Sequence, residues 1–179
     1  MSHYRNFRLA TYFVAHGAAH AERQQLQKDI DFFQHYLHLD NVYLEPFRDG
    51  TFASAEQVRM CKEVFEQNGI HVSGGITTAM PDPEGAEPKQ RMFGTLCYND
   101  EAMIRQLEAV AEMNGRLFDQ WIIDDFYFTN CTCDRCRAER DQYNAEHGIT
   151  DGSWEHYRSH KMVEVSRDHM IAPSKRVNP

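Results

Sequence analysis

The sequence lacks any long apolar segment and any concentration of basic residues. No apolar run approaches the roughly 18 residues of a membrane span, and the first residues contain no secretory signal core, so we expect no membrane partner. A cytoplasmic location is then expected only by default. The formal net charge is -8. Because binding to a polyanion needs a basic surface, we also expect no nucleic-acid partner.

Cysteines are few and unevenly placed, since three of the five fall at positions 131, 133 and 136. An odd number with three thiols in one short segment makes a poor disulfide framework, and metal binding is the better interpretation. Phosphate-binding glycine loops are missing as well, because Gly74-Gly75 is too weak a pattern to count as one.

What the chain does contain is typical of a folded domain. Its 179 residues are 41% hydrophobic and 12% aromatic, which is enough for one domain with a sizeable core. Apolar runs rich in β-forming residues predict four strands, at residues 9–14, 41–47, 70–78 and 117–128. Apolar residues at helical spacing, with capping signals, predict helices at residues 21–37, 54–68 and 100–113. A polar stretch ended by Gly148 predicts a helix at residues 137–147, and apolar residues at imperfect spacing predict another at residues 153–172.

The alternation of strands and helices predicts an α/β fold with a parallel sheet, because each helix returns the chain to the start of the next strand. Residues 1–179 would form a single domain of about four (β/α) units, which is half of a (β/α)8 barrel. A flavodoxin-like doubly wound sheet is the rival architecture, but its phosphate-binding glycine loops are absent. We therefore expect the N-terminal half of a (β/α)8 barrel.

Polar residues follow each predicted strand, at the edge where barrel enzymes place their working groups. Asp124 and Asp125 close the fourth strand and are the candidate catalytic residues, although successive side chains point opposite ways and only one can face the barrel mouth. Candidate substrate-binding residues follow the first three strands: His16, Glu45, Arg48 and Thr77. His16 and Thr77 also suit ordinary loop or cap positions. Glu45 and Arg48 could simply form a local ion pair. The long loop at residues 80–91 is a further candidate.

The pattern Cys131-x-Cys133-x2-Cys136 packs three thiols within six residues, as a zinc-binding loop requires. Cys97 is the expected fourth ligand, because the segments after the third and fourth parallel strands lie side by side. Four thiolates leave no open coordination position, so the zinc would be structural. Other candidates are weaker: Cys61, which suits a buried position on a helix, His71 and His147.

The acid pair at the end of the fourth strand, the cysteine loop and the upstream Cys97 together resemble (β/α)8-barrel glycoside hydrolases. The similarity is greatest to the zinc-containing β-galactosidases and their uncharacterised relatives. In that family, cysteines at these four places hold a structural zinc, and an Asn-Glu pair ends the fourth strand. Asp124 and Asp125 fall at that pair, so the resemblance implies a carbohydrate substrate and an aspartate that serves as acid/base or nucleophile.

Glycoside cleavage needs two carboxyl groups, and the resemblance implies that the second comes from a late strand of a full barrel. The chain would then be a truncated half-barrel, inactive alone, that self-associates through exposed strand edges. A non-catalytic, zinc-stapled α/β module that binds a ligand or partner is the alternative. A thiol redox protein is a weaker one, because Cys133 and Cys136 are better explained as metal ligands.

Overall fold

The computed structural model describes residues 4–80 and 91–179, so most of the predicted loop at residues 80–91 lies outside the described part. The strands are β1 (Ala10–Phe13), β2 (Asn41–Leu44), β3 (Phe47–Arg48), β4 (Thr51–Phe52), β5 (His71–Ile76) and β6 (Trp121–Ile123). The α-helices are α1 (Ala15–His20), α2 (Arg23–Tyr36), α3 (Ala55–Gln67), α4 (Glu101–Leu117), α5 (Asp134–Glu146), α6 (Glu155–Glu164) and α7 (Ala172–Val177).

The main sheet has the order β1-β2-β5-β6, and every neighbouring pair in it is parallel. Helices connect its strands, which confirms the α/β prediction and is consistent with part of a barrel. β3 and β4 form a separate antiparallel hairpin after β2 that the sequence did not predict. Because all four strands run the same way, their carboxyl ends meet at one edge of the sheet.

Local capping signals set where two of the connecting helices begin. The Ser54 hydroxyl accepts a hydrogen bond from the Gln57 backbone N–H at 3.1 Å, as predicted for the start of α3. The Asp100 carboxylate accepts bonds from the Ala102 and Met103 N–H groups and so caps α4. Among the described helices, none combines the length and apolar character needed to cross a membrane.

The two faces of the sheet have different surroundings. Val42, Leu44 and Val72 point toward the helices and are buried in one hydrophobic core. Gly74 lies on this face because a Cβ atom there would stand only 2.5 Å from the Phe118 ring. Alternation along each strand then directs the intervening side chains to the other face, where Glu45 and other polar residues are found.

Several elements differ from prediction. The fourth strand ends at Ile123, because Phe126 has a positive φ of 69° and cannot continue an extended strand. The short helix α1 follows β1 directly, and α4 continues through Gly115 to Leu117. Pro173 does not end the last helical segment. Pro173 lies in the first turn of α7, which follows a π-helical segment at Val165–Ile171. The first turn of a helix tolerates a residue that has no backbone N–H.

The apolar stripe predicted for α2 is buried only in part. Leu26 and Ile30 belong to the core, whereas Phe33 and Leu37 are exposed. The helical spacing was therefore right for the helix, but it placed too many residues in the core.

Candidate functional site

Four polar side chains meet at the carboxyl ends of β2, β5 and β6, and we call them the carboxylate cluster: Glu45, Arg48, Thr77 and Asp124. Arg48 Nε donates to Glu45 Oε2 at 2.6 Å, and its Nη2 donates to Glu45 Oε1 at 3.0 Å and to Asp124 Oδ2 at 2.6 Å. Thr77 Oγ1 lies 2.7 Å from Glu45 Oε1 and 3.3 Å from Asp124 Oδ2. One guanidinium and one hydroxyl thus join two carboxylates.

The register of the sheet explains why these residues meet. Ile76 pairs with Ile123 at the ends of β5 and β6, so Thr77 and Asp124 are the next residues of neighbouring strands. The Asp124 backbone N–H still donates to the Ile76 carbonyl at 2.9 Å. Gly75 makes room for the Glu45 side chain. A Cβ atom at position 75 would lie only 3.1 Å from Glu45 Cγ, which is a tight contact.

The two carboxylates differ in access to solvent. The Glu45 side chain is fully buried, whereas 27% of the Asp124 side chain is exposed. The hydrogen bond to Glu45 is the largest cause that raises the pKa of Arg48 above its usual value, so this arginine keeps its charge. Of the two, Asp124 is therefore the carboxylate that a solute can reach, and Glu45 with Arg48 fixes its position.

Tyr12 lies beside the cluster and was not identified from the sequence. Its hydroxyl is buried and has no hydrogen-bond partner in the part of the chain that the structure describes. Burial raises the pKa of Tyr12 above its usual value, and the nearby carboxylates of Asp124 and Glu45 raise it further. Side chains alternate between the two faces of a strand, so the position of Tyr12 in the first strand could have placed it on the same sheet face as Glu45. This alternation was the sequence signal that could have identified Tyr12.

Two of the predicted site residues lie apart from the cluster. Asp125 is exposed, and it makes no hydrogen bond or ion pair with the residues described. His16 does not stand at the end of β1 as expected. It lies within α1, is exposed, and has its ring 4.7 Å from the ring of His20. The structure therefore brings together Glu45, Arg48, Thr77 and Asp124 but not His16 or Asp125.

A second group of side chains, the cysteine cluster, lies in the segments that follow β5 and β6 and consists of Cys97, Cys131, Cys133 and Cys136. Their sulfur atoms all lie within 4.8 Å of one another. Cys97 Sγ is 3.9 Å from Cys133 Sγ and 3.6 Å from Cys136 Sγ, and Cys133 Sγ is 3.6 Å from Cys136 Sγ. The thiols are free, so these are contacts and not disulfides.

This spacing fits a tetrahedral metal site. Four sulfurs bonded at the zinc–thiolate length of about 2.3 Å would stand about 3.8 Å apart. The spacings of 3.6–3.9 Å among Cys97, Cys133 and Cys136 agree with this value, and the Cys131 sulfur lies within 4.8 Å of the other three. Hydrogen bonds from Cys136 and Cys97 lower the pKa of Cys131 below its usual value, while the hydrogen bond to Cys131 raises the pKa of Cys97. A bound metal ion would replace the protons that the sulfurs now share. The four cysteines can therefore hold a metal ion.

Neighbouring side chains connect the cysteine cluster to the rest of the fold. Asn99 Nδ2 donates to Cys136 Sγ at 3.4 Å and to the Tyr157 hydroxyl at 2.5 Å, which ties the start of α4 to α6. Asn130 Oδ1 accepts from the Met92 N–H at 3.0 Å and from the Thr95 hydroxyl at 3.2 Å. Hydrogen bonds thus join the segment that follows β5 to the segment that follows β6.

The weaker metal-ligand candidates lie elsewhere. Cys61 is buried in the hydrophobic core, as its place on a helical stripe predicted. His71 Nδ1 lies 2.7 Å from Asn41 Oδ1, and the His147 ring stacks on Tyr143.

Comparison with known proteins identifies the family of this chain. A family model described as "Probable glycosyl hydrolase, catalytic domain" matches residues 1–179. An uncharacterised protein of Saccharolobus solfataricus is 28% identical over 191 residues, which cover 97% of this chain and 31% of that protein. The chain thus spans about a third of that relative's length. By the match over its whole length, the chain belongs to the family of probable glycosyl hydrolase catalytic domains.

Proposed function

We propose that this chain supplies one catalytic carboxylate of a glycoside hydrolase, and that this carboxylate is Asp124. The observation that carries the proposal is the contrast within the carboxylate cluster, where Glu45 is fully buried and Asp124 remains partly exposed. Arg48 and Thr77 both approach Asp124 Oδ2, which leaves Oδ1 for the substrate. Asp124 would act as nucleophile or as acid/base on the glycosidic bond.

The second carboxylate of the reaction would come from another part of the catalytic unit. A substrate cannot reach Glu45, because it is fully buried against Arg48 and Thr77. We therefore propose that the four parallel strands are the N-terminal half of a (β/α)8 barrel, whose later strands supply the partner. The coverage of only 31% of the relative supports a longer catalytic unit. The edge strands β1 and β6 would favour self-association of the chain by itself.

We propose zinc as the ion of the cysteine cluster. Four thiolates fill a tetrahedral shell and leave no position for water, so the ion stabilises the loop after β6 and takes no part in the reaction. The fit of the sulfur spacings to tetrahedral zinc supports this choice.

A second candidate function is carbohydrate binding without hydrolysis. It is favoured by the same burial of Glu45, which leaves a single accessible carboxylate in the cluster.

The test compares Asp124→Asn with Asp119→Asn, which changes an exposed aspartate just before β6, at the opposite end of that strand. Release of 4-nitrophenol from a panel of 4-nitrophenyl glycosides would be measured for the chain alone and for a chain extended by its downstream reading frame. We expect hydrolysis only in the extended protein, lost at least about 100-fold in Asp124→Asn and unchanged in Asp119→Asn. An active Asp124→Asn variant would refute the catalytic assignment, and binding without any hydrolysis would favour the second candidate.

A further inference from the structure

Two phenylalanines that belong to neither cluster lie against each other at the carboxyl edge of the sheet. The ring centroids of Phe93 and Phe126 are 4.9 Å apart, with an angle of 40° between the ring planes. We call them the aromatic pair. Phe93 is 65% exposed, so this ring is not part of a core. Phe126 follows Asp124 by only two residues.

Both members of the aromatic pair have a backbone conformation that bulky residues rarely adopt. The φ angle is 56° at Phe93 and 69° at Phe126. Left-handed backbone is disfavoured for residues with a Cβ atom, so two such phenylalanines in contact need a surrounding structure that enforces the conformation. Strained positions of this kind cluster at ligand and active sites.

Hydrogen bonds on both sides of the pair enforce this conformation. The Thr78 hydroxyl donates to the Phe126 carbonyl at 3.1 Å. On the other side, the Met80 N–H donates to the Gly94 carbonyl at 2.7 Å, and the Met92 N–H donates to the Asn130 side chain at 3.0 Å. A fixed backbone therefore positions both rings, with Phe93 exposed to solvent and Phe126 half-buried.

Consecutive threonines at the end of β5 place the aromatic pair next to the carboxylate cluster. Thr77 contacts Glu45 and Asp124, while Thr78 holds the backbone of Phe126. The same edge thus presents a partly exposed carboxylate and an aromatic surface that is exposed at Phe93 and half-buried at Phe126. A sugar ring needs both, because one of its faces carries C–H groups and its rim carries hydroxyls.

We propose that Phe93 and Phe126 form a binding surface for a pyranose ring of the substrate, whose C–H face stacks on the aromatic pair. This inference rests on the proposed carbohydrate function and adds the residues that recognise the ring. The carboxylate of Asp124 accepts hydrogen bonds from hydroxyls of the same carbohydrate.

Glycine substitutions test the pair without damage to the fold. Phe93→Gly and Phe126→Gly remove the rings, and glycine adopts positive φ at no steric cost, so both variants should remain as heat-stable as the parent chain. Phe32→Ala is the matched control, because Phe32 is a similarly exposed phenylalanine on α2.

Binding of cellobiose and lactose would be measured by saturation-transfer NMR and titration, in an Asp124→Asn background as well as in the parent chain. We expect contact with ring C–H protons, and a dissociation constant about tenfold higher in each glycine variant but unchanged in Phe32→Ala. Unchanged binding in both glycine variants, or no binding of either sugar to the parent chain, would overturn the proposal.

This test separates the pair from catalysis. If the sugars bind through the aromatic pair but no glycoside is ever hydrolysed, the catalytic role of Asp124 fails and the binding surface stands. If hydrolysis is found and neither glycine variant alters its KM, the binding surface fails and the catalytic role stands.

Discussion

Removal of Arg48 tests whether the carboxylate cluster depends on a buried ion pair. In Arg48→Met, the fully buried Glu45 loses both guanidinium hydrogen bonds and keeps only its contact with Thr77. An unpaired buried carboxylate costs about 3–5 kcal/mol. Arg48 is itself 24% exposed and Thr77 still contacts Glu45, so we expect the lower end, about 3 kcal/mol. For a chain of this size the melting temperature should then fall by roughly 6–12 °C.

Urea unfolding followed by tryptophan fluorescence would measure the change. Glu45→Gln should cost only about 1 kcal/mol, because a neutral amide still accepts a hydrogen bond and leaves no buried charge. The double variant, Arg48→Met with Glu45→Gln, should recover more than half of the loss. As a control, Arg23→Met breaks an exposed pair with Glu63 and should cost less than about 1 kcal/mol. If Arg48→Met costs no more than this control, the reasoning about the buried pair is wrong.

Three further predictions concern the metal, the packing of the sheet and association. The purified chain should contain about one equivalent of zinc by elemental analysis. Cys133→Ser should lose most of this zinc, whereas Cys61→Ala, outside the cysteine cluster, should keep it. Gly74→Ala should cost about 1–3 kcal/mol in urea unfolding, because its new methyl group would meet Phe118 at 2.5 Å, whereas Gly17→Ala, with no contact closer than 3.4 Å, should cost little. The isolated chain should elute above its monomer mass of 20.9 kDa in size-exclusion chromatography, and a strictly monomeric chain would contradict the open strand edges.

Elements that depend on nearby residues were predicted well. The start of α3 follows from Ser54 and Gln57, which are three residues apart, and the core face of that helix follows from helical spacing. The cysteine cluster was also predictable, because three of its members lie within six residues and the parallel sheet brings Cys97 alongside. Its geometry confirms that the four can share one metal ion.

Boundaries that depend on distant contacts were predicted poorly. Asn114-Gly115 suggested a helix end, but α4 continues because Ser174 packs against Gly115, where a Cβ atom would lie only 2.8 Å from the Ser174 carbonyl oxygen. The fourth strand was drawn too long because its aromatic run favours β-structure. Its actual end is set by the left-handed turn at Phe126, whose carbonyl accepts a bond from Thr78, 48 residues earlier.

By itself, the sequence determined the α/β class, the polar residues at the strand ends and the set of four cysteines. These rest on periodicity and spacing, which act over a few residues and are visible in any single chain. Only the tertiary structure decided that Asp124, and not Asp125, joins Glu45 and Arg48, that His16 stands apart, and that the Tyr12 hydroxyl is buried near the carboxylates. Those outcomes depend on the register between strands and on contacts across 76 residues, as between Arg48 and Asp124, where local preferences carry no information.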